Sequence, residues 1–130
     1  LTSPSSAQIP VTVGGYQVSD KGLYIDSGRG FTVSSVVKPN FVAPAVNVQG
    51  VGVRDNYVTA SGTSVAAAIT AGACAQIMEW GIYRQENLAL NSVEIGNLLI
   101  HGCDRSRDLV YPNTAWGYGR LDAYQAILAL

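Results

Sequence analysis

The sequence predicts an α/β fold on three observations. Short β-branched runs bounded by Gly and Pro fill the first half of the chain, an alanine-dominated helical segment lies at its centre, and two shorter helices with recognisable boundaries close it. The strands are too few to make a closed sheet with both faces covered.

Residues 1–8 are Ser/Pro-rich and carry no periodicity. Residues 9–16 read as a short strand, Val11 and Val13 alternating before Gly14-Gly15 breaks the run. Residues 22–35, with three glycines and the charges of Asp26 and Arg29, read as a turn-rich loop. Phe41-Val42-Ala43, Val46-Asn47-Val48 and Tyr57-Val58-Thr59 are three further short strands. A long helix is expected over 64–80, with Val65, Ile69, Ile77 and Met78 as its larger residues and Gly81 as its stop. It has no polar stripe, so burial on nearly all sides is expected. Asn91 with Glu94 three residues later has capping-box spacing for a second helix ending at Gly102, and a last helix runs from about 122 to 130.

Composition narrows the function. The chain has 130 residues, enough for one domain, and only 13% of them are charged, about half of an ordinary share. Eight Lys/Arg against nine Asp/Glu give a net charge of −1; no nucleic-acid partner is expected from such a balance. Residues 56–78 lack charge, but Asn56, Thr59, Ser61, Thr63, Ser64, Thr70 and Gln76 make the stretch too polar for lipid, so no membrane partner is expected. No basic stretch followed by an apolar one marks a signal peptide, and a chain starting at Leu1 without Met is expected to be processed or a fragment. Two cysteines, Cys74 and Cys103, permit one disulfide and imply no framework. The charge deficit then means a large surface held against something else.

Ser61-Gly62-Thr63-Ser64 stands at the start of the long helix. Unpaired N–H groups and the helix dipole favour negative charge in a first helical turn, and an acyl-transfer nucleophile there can donate its own amide to a developing oxyanion. Gly62 allows a tight turn and close approach of a substrate backbone. The spacing alone is better explained by a helix cap at Thr63 or Ser64.

The wider context resembles the subtilases, the subtilisin-like serine proteases. Gly62-Thr63-Ser64-Val65-Ala66-Ala67-Ala68-Ile69-Thr70-Ala71-Gly72 is similar to their nucleophile motif, and residues 38–48, from Lys38-Pro39-Asn40 through Ala43-Pro44-Ala45, to the strand and turn before it. Val11-Thr12-Val13-Gly14-Gly15, Ser27-Gly28-Arg29-Gly30 and the closing Trp116-Gly117-Tyr118-Gly119-Arg120-Leu121-Asp122-Ala123 follow the family order, so the resemblance covers about residues 10–126. Ala68, Ile69 and Ala45 stand where the family usually has Pro, His and Gly. The variant helix, with Tyr111-Pro112-Asn113, is similar to the Csp-type germination proteases of spore-forming clostridia.

The resemblance implies a partial subtilisin-like fold: the C-terminal part of a mostly parallel sheet with a buried central helix and two further helices, residues 1–130 forming the C-terminal portion of the peptidase domain. It implies Ser64 as the catalytic nucleophile, with Ser64, Thr63 and Gly62 forming the oxyanion and substrate-binding turn. It further implies a peptide or protein substrate; the compartment stays open, secreted or, by the germination-protease resemblance, spore-associated. The catalytic order in subtilisin is Asp, His, Ser, yet no His precedes Ser64 here and His101 is the only one. The N-terminal part with the Asp, the His and the oxyanion Asn is therefore expected to be absent, the isolated chain inactive, and its partner either that missing part or another copy of itself. A non-catalytic, pseudoprotease segment acting as a binding or structural unit is the alternative.

The rest of the inventory reads blandly. His101 is expected at a helix end, Asp26, Asp55 and Asp104 as solvated loop charges, and Cys74, Trp80 and Trp116 as packing residues. Cys103, after Gly102, is expected to be the more accessible thiol. No metal and no cofactor are expected.

Overall fold

In the computed structural model, which describes residues 1–85 and 88–130, the apolar run at residues 41–43 is the buried centre of the sheet. β1 (Val13–Tyr16) and β2 (Phe41–Pro44) pair in parallel, Val13 opposite Phe41 and Tyr16 opposite Pro44. Phe41, Val42 and Ala43 are fully buried, as a parallel strand covered on both faces requires. The far side of β2 is taken by an extended segment at Arg120: the Val42 amide donates to the Gly119 carbonyl at 3.0 Å and the Leu121 amide to the Val42 carbonyl at 2.8 Å. Asp104 bridges Arg120 in the antiparallel sense beyond it.

β3 (Val48–Val51) and β4 (Tyr57–Ala60) form an antiparallel hairpin with Val48 opposite Ala60. The expected strand at 46–48 starts later, because Asn47 takes φ +52 and turns the chain there; Asn tolerates this region better than most residues.

α1 (Thr63–Met78) packs on β1 and β2 through Ala66, Thr70, Ala73 and Ile77, a single face of the helix. The Thr70 hydroxyl is satisfied by donating to the Ala66 carbonyl at 2.9 Å. The expectation of burial on nearly all sides is corrected: Ala67, Ala68, Ala71, Gly72 and Ala75 are exposed. Among the described residues only one side of the helix is covered. Gly81 is not a stop either. It is buried inside a π-helical turn, Glu79–Tyr83, that prolongs α1. Residues 63–83 are apolar and long enough for a bilayer by length and composition, and their one buried face is seated on the sheet. Trp80 is 39% exposed, with the Arg84 guanidinium 4.7 Å above its ring, and is no core residue.

α2 (Ser92–Gly102) starts as its sequence announces: Asn91 Oδ1 accepts from the Val93 and Glu94 amides, and Glu94 Oε2 accepts from the Asn91 amide at 3.1 Å. α3 (Ala123–Leu128) is capped by Asp122, which accepts from the Gln125 amide at 3.0 Å. The two helices meet so closely that a Cβ on Gly102 would lie 2.4 Å from the Ala126 nitrogen.

The core joins the sheet to all three helices through Phe41, Ala73, Ile77, Leu99, Cys103 and Ala126, with Cys74 and Leu121 packed against it. Cys103 is therefore not the accessible thiol that its place after Gly102 announced. It is 6% exposed, its Sγ donates to the Leu99 carbonyl at 3.2 Å, and burial pushes its pKa up to about 12. Below the unfolded value of 9.0 the thiol is protonated in both states; from there to about 12 only the folded state keeps the proton, so stability falls as pH rises. The loss has an upper bound of about 4 kcal/mol. Urea midpoints measured across that range are expected to drop less steeply in Cys103→Ala than in wild type; equal slopes would show that Cys103 contributes nothing.

A buried lysine fastens the edge of the sheet. Lys38 is fully buried, and its Nζ donates to the Pro10 carbonyl and to Asn40 Oδ1. Burial pushes its pKa down. Asn40 Oδ1 also accepts from the Thr12 amide at 2.7 Å, so one amide oxygen ties the approaches to β1 and β2 together.

Candidate active site

Beyond the carboxyl end of β2 the chain makes its hairpin excursion and returns to the same place. The Gly62 amide donates to the Ala45 carbonyl at 2.7 Å, which sets the N-terminus of α1 at the carboxyl end of the strand. Ligand sites of α/β folds collect at that edge of the sheet. Gly62 is the helix cap, with φ +148, and its carbonyl accepts from the Val65 amide at 3.1 Å and the Ala66 amide at 3.4 Å. No side chain caps the helix. The cap reading of Thr63 or Ser64 is thus corrected, and both hydroxyl residues stand in the first turn with other work available.

Thr63 is half-buried and Ser64 exposed. Among the described residues, neither of their amides has a protein acceptor and Ser64 Oγ has no hydrogen-bond partner. Two free N–H groups, the positive end of a 16-residue helix and an unencumbered hydroxyl therefore converge on one turn. A Cβ on Gly62 would sit 3.2 Å from Ser64 Oγ, so glycine also keeps the approach to that oxygen open. A cleft of about 320 Å³ adjoins the turn, bordered by Thr63, Thr12, Asp26, Gly28 and Pro39.

No base hydrogen-bonds to Ser64 among the described residues, and no His borders the cleft that adjoins its turn. His101 is exposed in the last turn of α2 and borders a different cleft of about 590 Å³, with Asp104, Arg105, Asp122 and Gln125. Asp26 is exposed and raises the neighbouring Tyr24 phenol by hydrogen bonding to it. Asp55 is exposed at the hairpin tip with φ +52. Asp104 is corrected: it is no solvated loop charge but the ion-pair partner of Arg120, half-buried. Burial pushes its carboxyl up, but hydrogen bonds from Ser106 and the Arg120 guanidinium outweigh this and hold it below the ordinary carboxylate value. Trp116 is buried, with Arg107 4.7 Å above its ring and Tyr16 6.2 Å away.

One contact beside the turn was not expected. The Asn47 amide donates to Ser61 Oγ at 2.9 Å, closing the base of the hairpin. The available signal was Asn47 itself, a turn-prone residue set inside a β-branched run.

Comparison with known proteins covers nearly the whole chain. The model of the Subtilase family matches residues 1–119. Serine protease AprX of Bacillus subtilis (strain 168) is 30% identical over 147 aligned positions, which include 98% of this chain and 31% of AprX. The structure of the CspB protease of Clostridium perfringens matches with a TM-score of 0.93 and 33% identity, over 98% of this chain and 28% of that one. The prenylagaramide maturation protease PagA, at 22% identity and a TM-score of 0.81 over 100% of this chain and 46% of that one, shares the fold. The chain thus spans less than a third of the length of AprX and of CspB.

Proposed function

We propose, on the premise that this chain belongs to the subtilase family, that residues 1–130 are the nucleophile-bearing, C-terminal portion of a serine endopeptidase domain. The observation that carries the reading is Ser64: exposed, in the first turn of α1, its hydroxyl without a protein partner and its amide without an acceptor among the described residues. Ser64 Oγ attacks the carbonyl carbon of the scissile peptide while a base takes its proton. The carbonyl oxygen becomes an oxyanion, and the Ser64 amide supplies one of the donors that stabilise it. Collapse of this intermediate breaks the C–N bond, the amine leaves with the transferred proton, and water then releases the acyl group from Ser64. Gly62 and Thr63 shape the turn, and Val65 borders the leaving-group side.

The base, its orienting Asp and a second oxyanion donor come from a part of the domain outside these 130 residues, because no His precedes Ser64 and His101 belongs to another cleft. The partner of this chain is then the rest of its own domain, whose substrate is a peptide or protein. The open face of α1 supports this, as does the exposure of Val51, Val53, Tyr57 and Val58 on the hairpin.

Two outcomes test the proposal. A serine-directed fluorophosphonate is expected to label Ser64 stoichiometrically in the full-length protein and to leave the 130-residue chain unlabelled. An unlabelled full-length protein would favour a non-catalytic, pseudoprotease role, and a labelled 130-residue chain would show that the base lies within it. The isolated chain is also expected to bind 1-anilinonaphthalene-8-sulfonate and to self-associate. A monodisperse, dye-silent monomer would contradict the exposed face.

A further inference from the structure

The turn that delivers Ser64 is fastened at two points, one of them a side chain. β3 and β4 pair from Val51 opposite Tyr57 down to Val48 opposite Ala60, where the ladder ends, and one residue further out Asn47 meets Ser61. At that step the acceptor changes from main chain to side chain. The Asn47 amide, turned by φ +52, donates to Ser61 Oγ at 2.9 Å. One residue on, the Gly62 amide donates to the Ala45 carbonyl at 2.7 Å. With the hydroxyl in the carbonyl's place, the Ser61 backbone is free of the strand and enters α1 within two residues, while its position against the hairpin is kept. The peptide planes between these anchors and Ser64 carry the free amides of Thr63 and Ser64, so the anchors set where those N–H groups point. Ser61 is exposed, and no contact joins its hydroxyl to Ser64.

We propose that Ser61 is a positioning residue: its hydroxyl, held by the Asn47 amide, fixes the orientation of the Ser64 amide and hydroxyl. The role rests on the reading of Ser64 as nucleophile. It is distinct from the reaction itself, since Ser61 exchanges no proton and touches no reacting atom. A small rotation of a nucleophile costs rate without costing substrate affinity, which separates this role from a merely structural one.

The test is made in the full-length protein, with a chromogenic peptide substrate and hydrogen exchange at the Asn47 amide. Ser61→Ala is expected to lower kcat about tenfold with KM within about twofold of wild type, and to speed exchange at Asn47. Ser61→Thr, which keeps the hydroxyl, is expected to restore kcat to within about threefold. Asn47→Gly, which keeps both the amide and the positive φ, is expected to stay within about twofold. An unchanged kcat in Ser61→Ala, or a loss that Ser61→Thr fails to restore, overturns the role. Activity retained in Ser64→Ala overturns the nucleophile reading and this role with it. That case is distinguishable, because Ser61→Ala then speeds exchange at Asn47 while leaving kcat unchanged.

Discussion

Replacing Ser64 by alanine in the full-length protein is expected to lower kcat by about 10⁶-fold, the loss found when the nucleophile of subtilisin's own triad is removed. The substitution is close to silent for folding. Ser64 is exposed, its hydroxyl has no protein partner among the described residues, and alanine is a better helix former than serine. A near-total loss of turnover is therefore expected with a urea midpoint within error of wild type and an unchanged circular dichroism spectrum. Residual hydrolysis about 10³–10⁴-fold above water would come from binding and the oxyanion donors alone. A variant that keeps more than about a hundredth of the wild-type kcat would place the nucleophile elsewhere.

Gly117→Ala is expected to destabilise the chain by about 3–5 kcal/mol. Gly117 lies at φ +54, where an L side chain is strained, and an added Cβ would stand 2.2 Å from the Pro39 carbonyl oxygen and 2.4 Å from that of Asn40. Both are backbone atoms at the entrance to β2 and have no rotamer to retreat into. The same approach carries the bond from the Tyr118 amide to the Asn40 carbonyl at 2.7 Å, which any shift would stretch. Against a total stability of about 5–15 kcal/mol, such a loss removes a large part of the margin. Gly50→Ala is the control: nothing lies within 4 Å of its Cβ position, so urea unfolding is expected to move by less than about 1 kcal/mol. Equal midpoints for the two variants would mean that the Trp116–Gly119 turn does not press on β2.

Local structure was legible wherever a short-range rule decides it. The Asn91–Glu94 box placed the start of α2 to the residue, and the apolar run at 41–43 placed β2, because a cap and a buried strand are each written in a few neighbouring residues. The fold and the family followed from motifs in order. What failed depended on distant neighbours. Cys103 looked exposed from its place after a helix-ending glycine, but α3 closes over it, with Ala126 against Gly102. Asp104 looked solvated because Arg120, its partner, lies sixteen residues away. The apolar composition of α1 did not tell which face of the helix packs on the sheet. At the site, the position of Ser64 was readable and its support was not. The Asn47–Ser61 contact joins two polar residues that mean nothing separately until a hairpin register sets them opposite each other.

The bridge between Val42 and Arg120 carries a kinetic consequence. β2 gains its second neighbour only when a segment from near the far end of the chain arrives, after the hairpin, α1 and α2 have all been laid down. Loop closure on that scale costs entropy before any contact returns it, so this pairing belongs to the late, slow part of folding. Substitutions in the closing turn, Gly117 included, are then expected to act mainly by speeding unfolding, whereas changes in β1 or β2 slow folding. A protein whose closing segment locks its central strand has its lifetime set at that seam, some distance in sequence from the serine whose geometry the same sheet maintains.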